Sequence, residues 1–265
     1  MSASYLRLVR APNPGPMTLD GTNTWVVGSP DGPAVVIDPG PLIHEHLDAI
    51  AAAAPGGIAA VLLTHRHLDH AESAAELARR AGCGVRAADP ALRIGPDGLD
   101  DSDGVSVTGA TMTAVPTPGH TSDSVSLLVS GDDGVVRLLT GDMVLGRGTT
   151  VITHPDGDLA AYLDSLARLR ALVAERAVAE ILPGHGPVVG NPAEWLTYYY
   201  EHRMERLDQV RSARAAGART PAEVVATVYA EVDRSVWPAA EQSARAQLDY
   251  LDALQASEDS GGRHR

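Results

Sequence analysis

The sequence predicts an α/β fold of layered sheets and helices, followed by a purely helical segment. Three observations carry this. Apolar runs of strand length alternate with helix-forming runs up to about residue 190. Every strong candidate for holding a metal ion falls just after one of those apolar runs. From Glu194 onward the strand-like runs stop and three helical runs follow.

Composition bounds the possibilities. The chain has 265 residues, enough for one large domain or a domain with an appendage, and 44% of them are hydrophobic, which is globular rather than disordered. Phenylalanine is absent, so Leu, Val and Ile must build the core. The formal net charge of −13 disfavours broad electrostatic binding to nucleic acid or to an anionic membrane. The single cysteine, Cys83, excludes an intrachain disulfide and fits a reducing compartment. It lies between glycines after a helical run, as a small packed residue would. Met1 to Met17 has no long apolar signal-peptide core, and no stretch approaches a membrane span. The expected location is the cytoplasm.

Taken in order, Tyr5 to Val9 reads as a strand, and Ala11 to Pro16 as a proline-rich loop. Strands follow at Trp25 to Val27 and Ala34 to Ile37, the latter ending at Asp38-Pro39-Gly40. Asp38 is either a hydrogen-bond partner for a ligand histidine or ordinary turn chemistry. His44 to Ala54 is helical. Its His44, Glu45 and His46 imitate a metal site but sit at a helix start, where a solvated face is expected.

Ala59 to Leu63 is a strand, and it ends in Thr64-His65-Arg66-His67-Leu68-Asp69-His70 before a helix over Ala71 to Ala81. In extended chain, residues two apart point the same way, so His65 and His67 can share one metal ion. A tight turn into the helix can bring Asp69 and His70 to a second. Imidazole and carboxylate are the ligands zinc takes when thiolate is absent.

Val85 to Ala87 is a strand, Pro90 to Asp103 a surface loop, and Val105 to Ala114 a strand of period two. Pro116-Thr-Pro-Gly-His120 carries the next ligand candidate, with Ser122 and Asp123 beside it as partners or plain loop residues. Ser124 to Val129 and Val135 to Leu139 are strands, the second ending at Gly141-Asp142, whose two carboxylate oxygens can bridge two cations. Leu145 to Thr150 is a glycine-rich loop without the lysine and spacing of a phosphate loop. Its Arg147 either meets an anionic substrate or is solvated. Asp158 to Arg176 is an amphipathic helix, and Ala179 to Leu182 a strand that ends at Gly184-His185-Gly186, a tight turn suited to a ligand.

These motifs together resemble the metallo-β-lactamase superfamily. The resemblance implies an αββα sandwich over residues 1–190, with His65, His67 and His120 holding one zinc ion, Asp69, His70 and His185 the other, and Asp142 bridging. It implies hydroxide made at the two zinc ions as the nucleophile, oriented by Asp69 as the catalytic residue. Asn13 to Thr24, Leu145 to Thr150 and Pro183 to Pro187 resemble the β-lactamase-like protein 2 subgroup, which appends a winged-helix-like domain. Helices over Glu194 to Ala215, Pro221 to Val232 and Ala239 to Leu254 would form it at 191–254, with 255–265 a disordered polar tail and no strand hairpin for a wing.

The metal core indicates hydrolysis rather than a substrate. The subgroup's single-stranded RNA endonucleases make RNA phosphodiester cleavage the first specific reading, and acyl-thioester hydrolysis on carrier proteins the alternative. A small-molecule substrate is also open. Export-dependent β-lactamase action is disfavoured. Arg203, Arg206, Arg211, Arg214 and Arg219 can contact phosphates, but Glu201, Glu205 and Asp208 are interleaved, which favours a salt-bridged solvated face. A binding module, with Trp195, Tyr198, Tyr199 and Tyr200 seating a partner or a homodimer, is the distant third. Packing between domains is the plainer account of that cluster.

Overall fold

The computed structural model describes residues 5–261, with only the backbone at 259–261. The first half holds β1 (Leu6–Arg10), β2 (Asn23–Val27), β3 (Ala34–Ile37), α1 (His44–Ala53), β4 (Ile58–Leu62), α2 (Leu68–Ala71), α3 (Ala74–Ala81) and β5 (Gly84–Arg86). The second holds β6 (Gly104–Val107), β7 (Ala110–Pro116), β8 (Val125–Gly131), β9 (Val136–Gly141), α4 (Leu159–Arg176) and β10 (Glu180–Pro183). Three helices follow: α5 (Pro192–Ala215), α6 (Pro221–Val228) and α7 (Trp237–Gly261).

Two five-stranded sheets form, in the orders β1-β2-β3-β4-β5 and β10-β9-β8-β7-β6. Pairing is parallel for β3 with β4, β4 with β5, and β9 with β10, and antiparallel elsewhere. The strands alternate with period two, yet both faces are apolar, because each sheet is covered on both sides. Trp25, Val27, Val35, Ile37 and Leu62 face the other sheet, where Met112, Leu127, Val129, Leu139 and Leu182 meet them. Their neighbours Val26, Val36 and Val61 turn outward onto Leu47 and Ile50 of α1 and Leu77 of α3. Leu128, Leu138 and Ile181 likewise turn outward onto Leu159, Tyr162, Leu166 and Leu169 of α4. The result is the expected four-layer αββα arrangement.

The outer core beside α4 does not stop at the end of the sandwich. It continues through Leu196, Tyr199 and Leu207 of α5, Val224 and Val225 of α6, and Leu248 and Leu251 of α7. Tyr199 and Trp195 do the packing expected of the aromatic cluster: the Leu145 backbone N–H donates to Tyr199 Oη at 2.8 Å, and Trp195 Nε1–H donates to the Leu145 carbonyl at 2.8 Å. Helix ends are fixed by ordinary chemistry. Asp158 caps α4 by accepting from the Ala161 N–H at 2.7 Å, and Thr220 with Glu223 forms a capping box on α6, with Pro221 in its first turn.

Three expectations are corrected. Val105 to Ala114 is not one strand but two, β6 and β7, paired antiparallel around a turn at Thr108-Gly109. The segment 255–261 is not an irregular tail but the last turns of α7; residues 262–265 lie outside the described residues. Within the loop at Pro90 to Asp103, a 3-10 turn spans Pro90–Leu92, and Leu99 is buried in the inter-sheet core. Among the described residues no strand follows β10.

Candidate metal centre

Strand ends assemble the centre. Asp38 follows β3, Thr64 to His70 follow β4, His120 follows β7, Asp142 follows β9 and His185 follows β10. Both sheets deliver their strand ends to one edge, and two links hold the sheets together there. The Asn23 N–H donates to the Gly184 carbonyl at 2.7 Å, and the Val125 N–H donates to the Thr64 carbonyl at 2.8 Å.

All seven predicted ligand residues converge. His65 Nε2 lies 3.1 Å from His67 Nδ1, and His120 Nε2 lies 3.0 Å from that same atom. With Asp142, whose Oδ2 is 3.8 Å from His120 Nε2, these form one group able to hold a cation. Asp69, His70 and His185 form a second group: His70 Nε2 to His185 Nε2 is 3.1 Å, and His185 Nε2 to Asp69 Oδ2 is 3.1 Å. Asp142 stands between the groups, with Oδ1 3.3 Å from His70 Nε2 and Oδ2 3.5 Å from His185 Nε2.

The donor set fits cations. Ligand atoms on a tetrahedral zinc ion with bonds of about 2.0–2.1 Å sit roughly 3.3 Å apart, close to these spacings. The far ring nitrogens are already committed. His70 Nδ1 faces Asp38 Oδ2 at 2.9 Å, His120 Nδ1 faces the Val151 carbonyl at 2.6 Å, and His185 Nδ1 faces the Gly21 carbonyl at 3.3 Å. A neutral ring that donates Nδ1–H to these acceptors offers its Nε2 lone pair to the centre, and a bound cation would displace the second proton from His70 and His185. Asp142 Oδ1 is buried with no hydrogen-bond partner. Inward lone pairs and an unpartnered carboxylate oxygen are what a bound cation would satisfy.

Electrostatics divide the two groups. Burial, with the neighbouring His70 charge, holds His65 well below the ordinary histidine value, and burial also lowers His67. His120 is pushed down to about 4, again mainly by burial. Burial also opposes charge on His70 and His185, but the Asp142 carboxylate beside both outweighs it, helped by Asp38 for His70 and Asp69 for His185. His70 is raised well above the ordinary value and His185 to about 9. Burial works against ionisation of Asp142, and the facing His185 and His70 overcome it and hold the carboxyl well below its usual range.

Glycine matters where the backbone comes close. A Cβ on Gly184 would lie 2.6 Å from Asp142 Oδ1 and 2.7 Å from His70 Cε1. At Gly119, with φ +142°, it would lie 2.3 Å from the Tyr162 Cα.

Among the supporting residues, Asp38 is a partner of the cluster rather than only a turn residue: besides His70 it accepts from the Thr64 N–H at 2.8 Å and Thr64 Oγ1–H at 2.6 Å. Asp123 touches no candidate ligand within hydrogen-bond distance; it pairs with Arg66 Nε at 3.2 Å, and Arg66 also reaches Asp89 and Asp156. Ser122 Oγ–H donates to Asp156 at 2.6 Å. Arg147 pairs with Asp20 at 3.3 Å and stays largely exposed.

Two sequence expectations fail here. His46 is not on a solvated face; it is 2% exposed, with Nε2 2.9 Å from Thr24 Oγ1 behind the Asp38 turn. His44 and Glu45 are exposed, as expected. Arg203 is not on a solvated face either; it is 3% exposed, donates Nη2–H to the Thr150 carbonyl and lies over the Tyr162 ring at 5.0 Å. Only Asp208 of the interleaved acids forms an ion pair among the described residues, with Arg211 at 2.6 Å. Asn23 and Thr150 fall inside stretches the sequence marks, Asn13 to Thr24 and Leu145 to Thr150, but their individual roles are not singled out there. Asn23 Nδ2–H donates to the Pro183 carbonyl at 3.0 Å and the Gly186 carbonyl at 2.8 Å, pinning the His185 turn. Thr150 Oγ1 lies 3.2 Å from His120 Nδ1. Asn23 sits in a turn-like run with nothing local to mark it, since its partners are about 160 residues away.

A cavity of about 310 Å³ opens from His120 and Asp142 into the space between the sandwich and the C-terminal helices. Leu19, Leu145, Val232, Val236, Ala239 and Ala240 give it an apolar body.

Comparison with known proteins follows the same division of the chain. The family model described as the metallo-beta-lactamase superfamily matches residues 17–185, and the one for the beta-lactamase associated winged helix domain matches residues 220–256. A beta-lactamase-like protein 2 homolog of Drosophila melanogaster is 30% identical over 278 residues, covering 95% of this chain and 89% of its own length. An atrochrysone carboxyl ACP thioesterase of Aspergillus fumigatus is 32% identical over 243 residues, covering 84% and 73%. The crystal structure of a metallo-beta-lactamase family protein of Thermus thermophilus superposes with a TM-score of 0.78 over 95% of this chain and 94% of that one; at 17% identity it shows the fold alone.

Proposed function

This chain belongs to the metallo-beta-lactamase superfamily, and from that premise we propose that it is a zinc-dependent hydrolase of acyl thioesters that attacks with water. The observation carrying the substrate class is the apolar cavity that opens directly from His120 and Asp142. An acyl group can fill such a space; a nucleotide backbone gains little from it. The similarity to a protein named as an ACP thioesterase supports the same class. Single-stranded RNA is the second reading, resting on the arginines of α5. Three of these side chains have partners within the chain, Arg206 on Gln209 and the Val228 carbonyl, Arg211 on Asp208 and Arg214 on Asp252, while Arg203 donates to the Thr150 carbonyl and keeps its Nε unpartnered.

In this reading His65, His67, His120 and Asp142 would hold one zinc ion, and Asp69, His70 and His185 would hold a second. Bound zinc would polarise a carbonyl oxygen and lower the pKa of a water. Asp69 has the outermost carboxylate of the cluster, its side chain 29% exposed, so it can orient that water and accept its proton at Oδ2. Water oxygen bonds to the thioester carbonyl carbon, the carbon–sulfur bond breaks, and the thiolate leaves and takes up a proton. Asp38 and the Val151 carbonyl keep His70 and His120 oriented throughout. The lone Cys83 thiol fits the cytoplasm as the place of action.

The test offers an acyl N-acetylcysteamine thioester and a short single-stranded RNA in parallel to the zinc-loaded protein. Thioester cleavage reduced about 100-fold or more in Asp69→Asn is the expected result. RNA cleavage that disappears in the same variant, with the thioester untouched, would replace this reading with the second.

A further inference from the structure

Arg203 is a buried cation without an anion. It is 3% exposed, and its Nε is buried with no hydrogen-bond partner. It forms no ion pair with a carboxylate among the described residues, although the Tyr162 ring at 5.0 Å compensates part of its charge. Leaving a buried charged donor unpaired is costly, and native structures rarely do so without a reason. The reason is visible in its position: Arg203 lines the cavity that begins at His120 and Asp142.

Two further cations, Arg147 and Arg206, line the cavity with His202, and Asp142 is its one acidic residue. Arg147 and Arg206 already have partners, in Asp20 and in Gln209 with the Val228 carbonyl. His202 is pushed down to about 4 by burial and by the adjacent Arg203 and Arg206, so at neutral pH its ring is uncharged. Arg203 is therefore the buried cation on this wall that keeps an unpartnered nitrogen.

We propose that the cavity receives the acyl part of the substrate and that Arg203 donates a hydrogen bond to an oxygen on it, making an oxo-acyl chain the preferred occupant over a plain alkyl chain. This rests on the acyl-thioester reading above. The cavity of about 310 Å³ corresponds to roughly ten water-sized groups, which is the scale of a medium-length acyl chain. Arg203 also holds the Thr150 carbonyl, and Thr150 Oγ1 lies beside His120 Nδ1. Loss of Arg203 could therefore lower activity by loosening His120, and only a change in selectivity separates the two roles.

The experiment compares kcat/KM for 3-oxooctanoyl and octanoyl N-acetylcysteamine thioesters on the full zinc-loaded chain, in wild type, Arg203→Lys and Arg203→Met. Wild type is expected to favour the oxo substrate at least tenfold, Arg203→Lys to keep part of that preference, and Arg203→Met to lose it. Equal loss on both substrates in Arg203→Met would make Arg203 purely structural, and absence of preference in wild type would overturn the proposal outright. Should Arg203→Met not fold, as read by circular dichroism, Arg203→Lys and Ala240→Leu carry the test. Narrowing the cavity at Ala240 should lower the ratio of octanoyl to acetyl turnover, and an unchanged ratio would remove the acyl chain from this space. Calorimetric titration with the uncleavable 3-oxooctanoyl amide separates the two levels. Binding at least tenfold weaker in Arg203→Met, with no thioester cleaved by wild type, would refute the reaction and keep the cavity's ligand. Cleavage with no such difference in binding would refute the role of Arg203 and keep the reaction.

Discussion

Two histidine populations share one cluster, and their charge states differ before any ion arrives. His65, His67 and His120 are held below the ordinary value and are neutral at pH 7; His70 and His185 are held above it and carry protons there. Loading zinc into metal-stripped protein at pH 7 should therefore release few protons where His65, His67 and His120 bind it and more where His70 and His185 do. Calorimetry in buffers of different ionisation enthalpy measures this, and equal release for both ions would contradict the division. The same values set the pH profile of the metal-free fold. The raised His185 contributes stability that is complete below the ordinary value of 6.5 and is lost as pH rises through about 9. The depressed His120 subtracts stability as pH falls from 6.5 toward about 4, because the unfolded chain takes up a proton that the folded one refuses. Thermal melts of the metal-free protein should thus peak near pH 6.5 and fall on both sides. Asp38→Asn keeps the shape of the His70 partner and removes its charge; zinc affinity should drop about 10–100-fold in a chelator competition.

At the scale of elements, the centre depends on where strands stop. Asn23→Ala removes both side-chain hydrogen bonds that Asn23 donates to the turn after β10 and should cost about 1–3 kcal/mol in denaturant unfolding. Gly184→Ala should lower zinc content per chain, because its new methyl group would displace Asp142 and His70. The ligand positions were legible because each sits in a short motif directly after an apolar run, and those signals are local. The αββα layering entered through family resemblance, and the order of strands in each sheet came only from the structure. What was illegible depended on distant cover. His46 lies on the first turn of α1 in a polar-looking run, and only the return of Thr24 behind it shows that it is inside. Arg203 shares a helix with exposed charges, and the 145–150 loop and Tyr162 of α4 are what bury it. Val105 to Ala114 alternates like a single strand, and its turn at Thr108-Gly109 preserves that alternation on both sides.

For the whole molecule, the continuous outer core sets the unit of folding. Tyr162, Leu166 and Leu169 of α4 are buried by the sheet on one side and share their core with the helices beyond α4. Ending the chain at residue 190 would remove α5 to α7 and expose apolar side chains worth about 1.5–3 kcal/mol each. Residues 1–190 alone should be insoluble or fail to melt cooperatively, as read by light scattering and circular dichroism. A soluble fragment that melts cooperatively would instead make the sandwich independent. Among the described residues no helix is long and apolar enough to cross a membrane.

The cavity wall has a consequence for descent. The groups assigned to bond cleavage lie between Thr64 and His185, while Val232, Val236, Ala239 and Ala240 belong to the far end of the chain. If that cavity takes the substrate, part of what selects it is inherited apart from the histidines of the centre, in the stretch from α5 to α7.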